Sequence, residues 1–222
     1  MNQIDSGTIS YRDELIRKLI HLCSLSIPII YYFIPRYDAL LILGILSFLA
    51  LIIDLGRYRS PQFAEYFYKI FGFLLRKHER DNVKKNLNGA TYVLISAFLG
   101  VLIFPKIIFI NAFAILIISD TSAALIGRRY GTKSFLRKSL QGTLAFFISA
   151  IIVIIFAPKL NNNVIEYFIG FFAAFVGAIV ENISNDLVDD NLSIPLTIGF
   201  LMWGMYLIFL PDLSISLTNA LK

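Results

Sequence analysis

Two carboxylates stand in stretches of chain that are otherwise apolar. Asp120 lies in Ile117-Ile118-Ser119-Asp120-Thr121-Ser122-Ala123-Ala124, and Glu181 lies near the end of an apolar run that begins near residue 164. An ionisable side chain inside a membrane-crossing helix costs at least about 2.5 kcal/mol, so each of these residues needs a partner or a role. Ala123, Ala124 and Gly127 follow Asp120 by three, four and seven residues, which puts them on its helical face, and Gly131 continues the series of small residues. Another backbone or a ligand can come close along such a face. Next come Arg128, Arg129, Lys133, Arg137 and Lys138, five cations within eleven residues, followed by Ser139 and Gly142. Side-chain cations and loop amides of this kind can hold a polyphosphate.

Beyond Glu181 the chain reads Asn182-Ile183-Ser184-Asn185-Asp186-Leu187-Val188-Asp189-Asp190-Asn191. Glu181, Asn185 and Asp189 repeat every four residues, so a continuing helix would line them up. Clustered hard oxygens suit Mg²⁺, which takes a few carboxylates and completes its shell with substrate phosphates. The candidate ligands are Asp120, Asn185, Asp189, Asp190 and Asn191. Near the amino end, Glu14, Arg17, Lys18 and His21 share one helical face, and His21 lies just inside an apolar segment, where an imidazole needs a partner or a wet cavity.

Each pattern also has a plainer reading. The small residues could be a helix-packing stripe, and the cations an ordinary loop on the positive side of a membrane. The acids could be a solvated loop whose Asp-Asp-Asn turn opens the next helix, and Arg17 and Lys18 could be anchors at the lipid boundary. Gly127 to Ser134 resembles a Walker A loop but has the wrong spacing and follows an apolar helix where that motif needs a strand. Cys23, the one cysteine, has no internal disulfide partner and reads as a packing residue.

The elements that position these groups follow from composition. Of 222 residues, 57% are hydrophobic and only 16% charged, and the mean hydropathy is +0.73. That is too little polar material to coat a soluble globule. Apolar blocks without strand-like alternation predict an all-α, polytopic membrane bundle of about seven transmembrane helices, near 19–34, 39–55, 90–104, 107–126, 140–157, 164–184 and 194–211. With the N-terminus cytoplasmic, sixteen of the twenty Lys and Arg fall on the inner side, as the positive-inside rule favours. The net charge of +5 then reflects topology and anionic lipid, with no nucleic-acid partner.

Residues 1–222 are expected to form one transmembrane domain with three cytoplasmic segments. These are 57–88, with an interfacial amphipathic helix around Phe63, Phe67, Ile70 and Phe71; the basic loop 127–139; and the acidic loop 185–193. No cleavable signal is apparent. The short loops and absence of a targeting extension suggest a prokaryotic plasma membrane with the active site facing the cytoplasm.

Four motifs in this order resemble the polyprenol kinase family, which includes dolichol kinase, phytol kinase and CTP-dependent diacylglycerol kinase. They are Glu14-Leu-Ile-Arg17-Lys18-Leu-Ile-His21; Ser119-Asp120 with Ala123, Ala124, Gly127 and Gly131; Lys138-Ser139-Leu-Gln141-Gly142-Thr143; and Glu181 with Asp190-Asn191-Leu-Ser-Ile194-Pro195. The resemblance covers roughly residues 14–200. Ser119 stands where the family often has glycine, and Gln141 where it often has an acid. Phosphatidate cytidylyltransferases share the Ser-Asp and Lys-Ser/Thr-Gly elements; the Arg17-Lys18-x-x-His21 and Asp190-Asn191 elements favour the kinases.

The resemblance implies transfer of the γ-phosphoryl group of CTP to a membrane lipid alcohol, with Mg²⁺ or another divalent cation. Asp120, Glu181 and Lys138 would be catalytic. The nucleotide would contact Arg17, Lys18, His21, Gly127, Arg128, Gly131, Lys133, Lys138, Ser139 and Gly142. A transporter, with Asp120 and Glu181 along its path, is a third possibility. Against it, the sequence shows no repeated halves, and its polar groups are expected to cluster at one membrane face with none marking the other.

Overall fold

The computed structural model describes residues 9–76, 79, 86–184 and 189–213. Among these, 81% are helical and 2% are in strands. The helices are α1 (Tyr11–Cys23), α2 (Ser26–Phe33), α3 (Arg36–Arg59), α4 (Pro61–Phe71), α5 (Gly89–Ile103), α6 (Lys106–Tyr130), α7 (Leu140–Phe156), α8 (Val164–Ile183) and α9 (Asp190–Phe209). Between α6 and α7 lies a small hairpin of β1 (Ser134–Phe135) and β2 (Lys138–Ser139), with Ser134 opposite Ser139 and Phe135 opposite Lys138.

Prolines punctuate the bundle. Pro28 offers no amide to the preceding turn, and just before it the chain breaks at Ser24, whose amide turns back to His21 O at 2.9 Å. The expected first span, 19–34, is therefore two helices, and the first begins earlier, at Tyr11. Ile34, Phe104 and Ala157, each followed by proline, adopt extended backbone and end α2, α5 and α7. Among the described residues, five helical stretches are long and apolar enough to cross a membrane: Tyr11–Phe33 taken together, α3, α6, α8 and α9. The expected spans at 90–104 and 140–157 are the shorter helices α5 and α7, about 22 and 25 Å long against a hydrocarbon core of about 30 Å.

Helix α6 is the axis: 78% of its most apolar window is buried, against 22% for α3. Around it the other helices expose Leu41, Ile45, Phe48, Leu49 and Ile52 of α3 and Phe168, Phe171 and Phe175 of α8. An exterior as apolar as the interior is what lipid, and not water, selects.

The expected loops are more ordered than the sequence implied. Gly127–Tyr130 is the last turn of α6, and the basic segment then folds into the hairpin, with Leu136 at its tip in a left-handed conformation (φ 51). Asp190–Ser193 is the first turn of α9, not loop, because the Asp189 carboxylate caps that helix by accepting from the Asn191 amide.

Candidate active site

Charged residues from five elements meet at one end of the bundle: α1, the second half of α6, β2, the end of α8 and the start of α9. On α6, Asp120 is buried, and its Oδ2 accepts from the equally buried Lys18 of α1. His21 Nε2 stands 3.5 Å from the same oxygen but makes no hydrogen bond. On β2, Lys138 Nζ reaches Glu181 Oε1 of α8 at 2.5 Å, while Glu181 Oε2 is buried without a partner. Asp190 of α9 is buried among the fields of Asp120, Lys138, Arg76 and Lys18.

Asp189 and Asp190 stand side by side at the start of α9. Burial, and after it the charge of Asp190, pushes the Asp189 carboxyl well above the usual carboxylate range. Burial works against the charge on Lys138, yet Glu181, Asp190 and Asp120 outweigh it and lift the ammonium above its ordinary value. Lys138 thus stays protonated while serving three carboxylates.

Local fastenings set these geometries. Asn182, the residue after Glu181, accepts from the amides of Arg137 (2.9 Å) and Lys138 (3.3 Å) and donates to Thr143 Oγ1 at 2.6 Å. It therefore pins the hairpin to α8 and aims Lys138 at Glu181. Gln141 accepts from the amides of Thr132 and Lys133, both at 3.2 Å, and so holds the start of the hairpin.

The glycines hold α6 against α7. A Cβ on Gly131 would lie 2.2 Å from Gly127 O and 2.7 Å from Ser139 Oγ, and one on Gly142 would lie 3.1 Å from Ala123 O. Ser139 is buried between them and caps α7 through the Gly142 amide at 3.2 Å. The small-residue stripe thus faces protein in this structure.

The remaining sequence candidates lie as follows. Arg128 is bound to Glu14 at 3.2 Å and to Ile9 O at 2.5 Å, and Lys133 is exposed beyond α6. Arg17 lies between Glu14 (3.7 Å) and Glu79 (3.5 Å). Asn191 donates to Asp189 Oδ1 at 2.8 Å and leaves its own Oδ1 buried and unpartnered. Asn185 falls outside the described residues.

Two carboxylates that the sequence reading left outside the catalytic and metal sets organise this end. Glu14 gathers Arg17, Arg76 (3.3 Å) and Arg128. Glu79 is buried and accepts from the amides of Gly89 (2.8 Å) and Arg76 (2.6 Å). A clasp on α3 supports it: Asp54 and Arg57, both buried, pair at 2.7 Å, Arg57 donates to Glu79 O and Asn86 O, and Asp54 accepts from the Asn88 amide. Asp54 inside an apolar span, three residues before Arg57, was the available signal.

The expectation that buried polar groups mark only one end is corrected. At the other end Lys106 donates to Ile34 O, Asn111 donates to Pro158 O, and buried Glu166 accepts from the amides of Leu160, Asn161 and Asn163 and from Tyr206 Oη.

The same cluster offers hard oxygens to a divalent cation. Among the described residues no three His, Cys, Asp or Glu side chains form a closed metal cage. However, Glu181 and Asp190 lie within each other's field, and Glu181 Oε2 is an orphaned hard oxygen. Two carboxylates fit an ion that draws the rest of its shell from phosphate oxygens.

Fold and site together define an α-helical membrane protein with a buried acid–base cluster at one end. The chain belongs to the same family as the uncharacterized protein RP860 of Rickettsia prowazekii, with 30% identity over 190 residues, 82% of this chain and 89% of that one. It is also 30% identical to the uncharacterized protein MJ1137 of Methanocaldococcus jannaschii, covering 62% of this chain and 68% of the other. A more distant relative is the CTP-dependent diacylglycerol kinase 1 of Schizosaccharomyces pombe, at 26% identity over 68% of this chain and 73% of that protein. No family model matches the chain, and no solved structure matches it.

Proposed function

We propose that this protein is a CTP-dependent lipid kinase that moves the γ-phosphoryl group of CTP to the hydroxyl of a membrane lipid alcohol. The observation that carries the reading is the meeting of Lys18, Asp120, Lys138, Glu181 and Asp190 at one end of a membrane fold. Its similarity to a kinase of that name supports the reaction class. The topology that goes with it has seven crossings, with α1 and α2 as one, and puts the charged end in the cytoplasm. The skew of basic residues toward that end supports this orientation.

Phosphoryl transfer is catalysed mainly by positioning and charge neutralisation. In this reading Lys138 faces the triphosphate, with Arg128 and Lys133 as the outer ring of positive charge, while Lys18 stays on Asp120 and Arg17 on Glu14 and Glu79. Asp190 and Glu181 would hold Mg²⁺, which supplies neutralising charge between phosphate oxygens when bound. The lipid oxygen forms its bond to the γ-phosphorus as the bond to the β-phosphate oxygen breaks. CDP leaves, and the hydroxyl proton passes to the Asp120 carboxylate, which Lys18 holds in place.

The test is incubation of the purified protein with γ-labelled CTP, Mg²⁺ and a panel of diacylglycerol, phytol and polyprenols. Label on a lipid is the expected result. Formation of CDP-lipid and pyrophosphate from phosphatidate would replace this reading with a cytidylyltransferase, and Asp120-dependent solute flux without nucleotide consumption would replace it with a transporter.

A further inference from the structure

A cavity of about 300 Å³ opens between α1, α3, α4 and α5 beside the charged cluster. Its walls are apolar, built from Ile20, Ala50, Ile53, Phe71 and Val93 among others, and its polar end holds Arg17, Lys18, His21, Glu79 and Asn191. The size is at the lower end for a small-molecule site, enough for the part of a lipid chain nearest its head group.

Two features of the polar end narrow the occupant. First, its cations are already matched: Lys18 by Asp120, and Arg17 by Glu14 and Glu79. A phosphate-headed lipid would have to compete with buried carboxylates for them, whereas an uncharged head would not. Second, two polar atoms at this end, His21 Nε2 and Asn191 Oδ1, are buried with no partner. A buried polar atom left unsatisfied is costly, and a ligand hydroxyl relieves it by hydrogen bonding.

We propose that this cavity is the acceptor-lipid site, selective for an uncharged lipid alcohol, and that His21 and Asn191 read its hydroxyl. Before transfer the hydroxyl donates to Asn191 Oδ1 and its oxygen meets His21 Nε2; at transfer its proton turns from Asn191 to Asp120, whose Oδ2 lies 3.5 Å from that nitrogen. Amphipathic α4 supplies Phe67 and Phe71 to the wall and leaves Tyr66 and Ile70 exposed, so the chain runs beneath α4 toward the lipid. This assignment rests on the kinase reading for its chemistry but is tested by binding alone.

The experiment uses the full chain in nanodiscs with two photoactivatable probes, a diacylglycerol and an isoprenoid alcohol, each carrying a diazirine in the chain. Labelled peptides are mapped by mass spectrometry. At least one probe is expected to label the cavity walls, competed by its unlabelled alcohol but not by its methyl ether or by phosphatidate. Ala50→Trp, which fills the cavity, is expected to cut labelling about tenfold or more. Asn191→Ala and His21→Ala are expected to erase an advantage of alcohol over ether of about tenfold, on the scale of one hydrogen bond. Labelling spread over the lipid-facing exterior, or competition by phosphatidate equal to that by the alcohol, overturns the proposal. Cavity labelling with no phosphoryl transfer to any alcohol would leave the site standing and remove the kinase reading; transfer with labelling elsewhere would remove the site alone.

Discussion

Helix α8 carries a buried glutamate near each end, about 22 Å apart, and the two are treated in opposite ways. Glu166 accepts from three backbone amides and one phenol, all between 2.8 and 3.1 Å, so both its oxygens are occupied by the fold. Glu181 has one ammonium on Oε1 and nothing on Oε2. The contrast extends to the neighbours. At the Glu166 end Lys106 and Lys159 cap the carbonyl ends of α2 and α7, and proline turns close the loops. At the Glu181 end, carboxylates from α6, α8 and α9 share Lys18 and Lys138. A buried carboxylate ringed by backbone donors is a fastener; one left with an open oxygen beside other acids has capacity for a ligand.

Substitutions can break this comparison or sharpen it. The largest effect is expected from Asp120→Asn, which should lower phosphoryl transfer about a thousandfold, the scale of a lost proton acceptor. Retention of more than a tenth of the rate, measured with γ-labelled CTP, would exclude Asp120 from the chemistry. Next, Glu181→Gln should cost about a hundredfold in rate, on the scale of one lost charge-stabilising group, with little loss of stability. Glu166→Gln should do the reverse, leaving the rate within about threefold while thermal unfolding shows a loss of about 1–3 kcal/mol from donors left unmatched. If the two glutamates gave the same pattern, the division between fastener and site would fail. Tyr206→Phe removes one of the four donors and should cost about 1 kcal/mol without touching turnover.

The smallest effect is a pH dependence. The folded Lys138 ammonium titrates above its ordinary value of about 10.4. Its contribution is therefore complete below that value and is lost as pH rises through the folded value. The difference in Tm between wild type and Lys138→Met should be constant near pH 8 and shrink above about pH 10.5.

Asp120 and Glu181 were legible because an acid in an apolar run has few innocent explanations. Lys138, Asp190 and Asn191 were legible through their motifs. The partnership of Lys18 with Asp120 was not, since 102 residues separate them and only packing of α1 on α6 brings them together. Gly127, Gly131 and Gly142 show why small residues are ambiguous: the spacing that admits a ligand also admits a neighbouring helix, and here the helix and Ser139 fill the space. The hairpin at 134–139 has two-residue strands, too short to show any alternation. The α3 clasp of Asp54 and Arg57 was readable in principle, but its targets, Glu79, Asn86 and Asn88, lie beyond α4, and only the fold brings them back to α3.

Gly131 has one more consequence. With no room for a side chain there, the end of α6 and the start of the hairpin are locked in register, and Asn182 fixes the far strand from the other side. The stretch from Gly131 to Lys138 behaves as a ruler: between these two fixed points, its length sets where the ammonium lands. Inserting or deleting even one residue there would carry Lys138 past Glu181 without altering any helix, so lineages retaining this centre should tolerate changes in residue type along the stretch more readily than changes in its length.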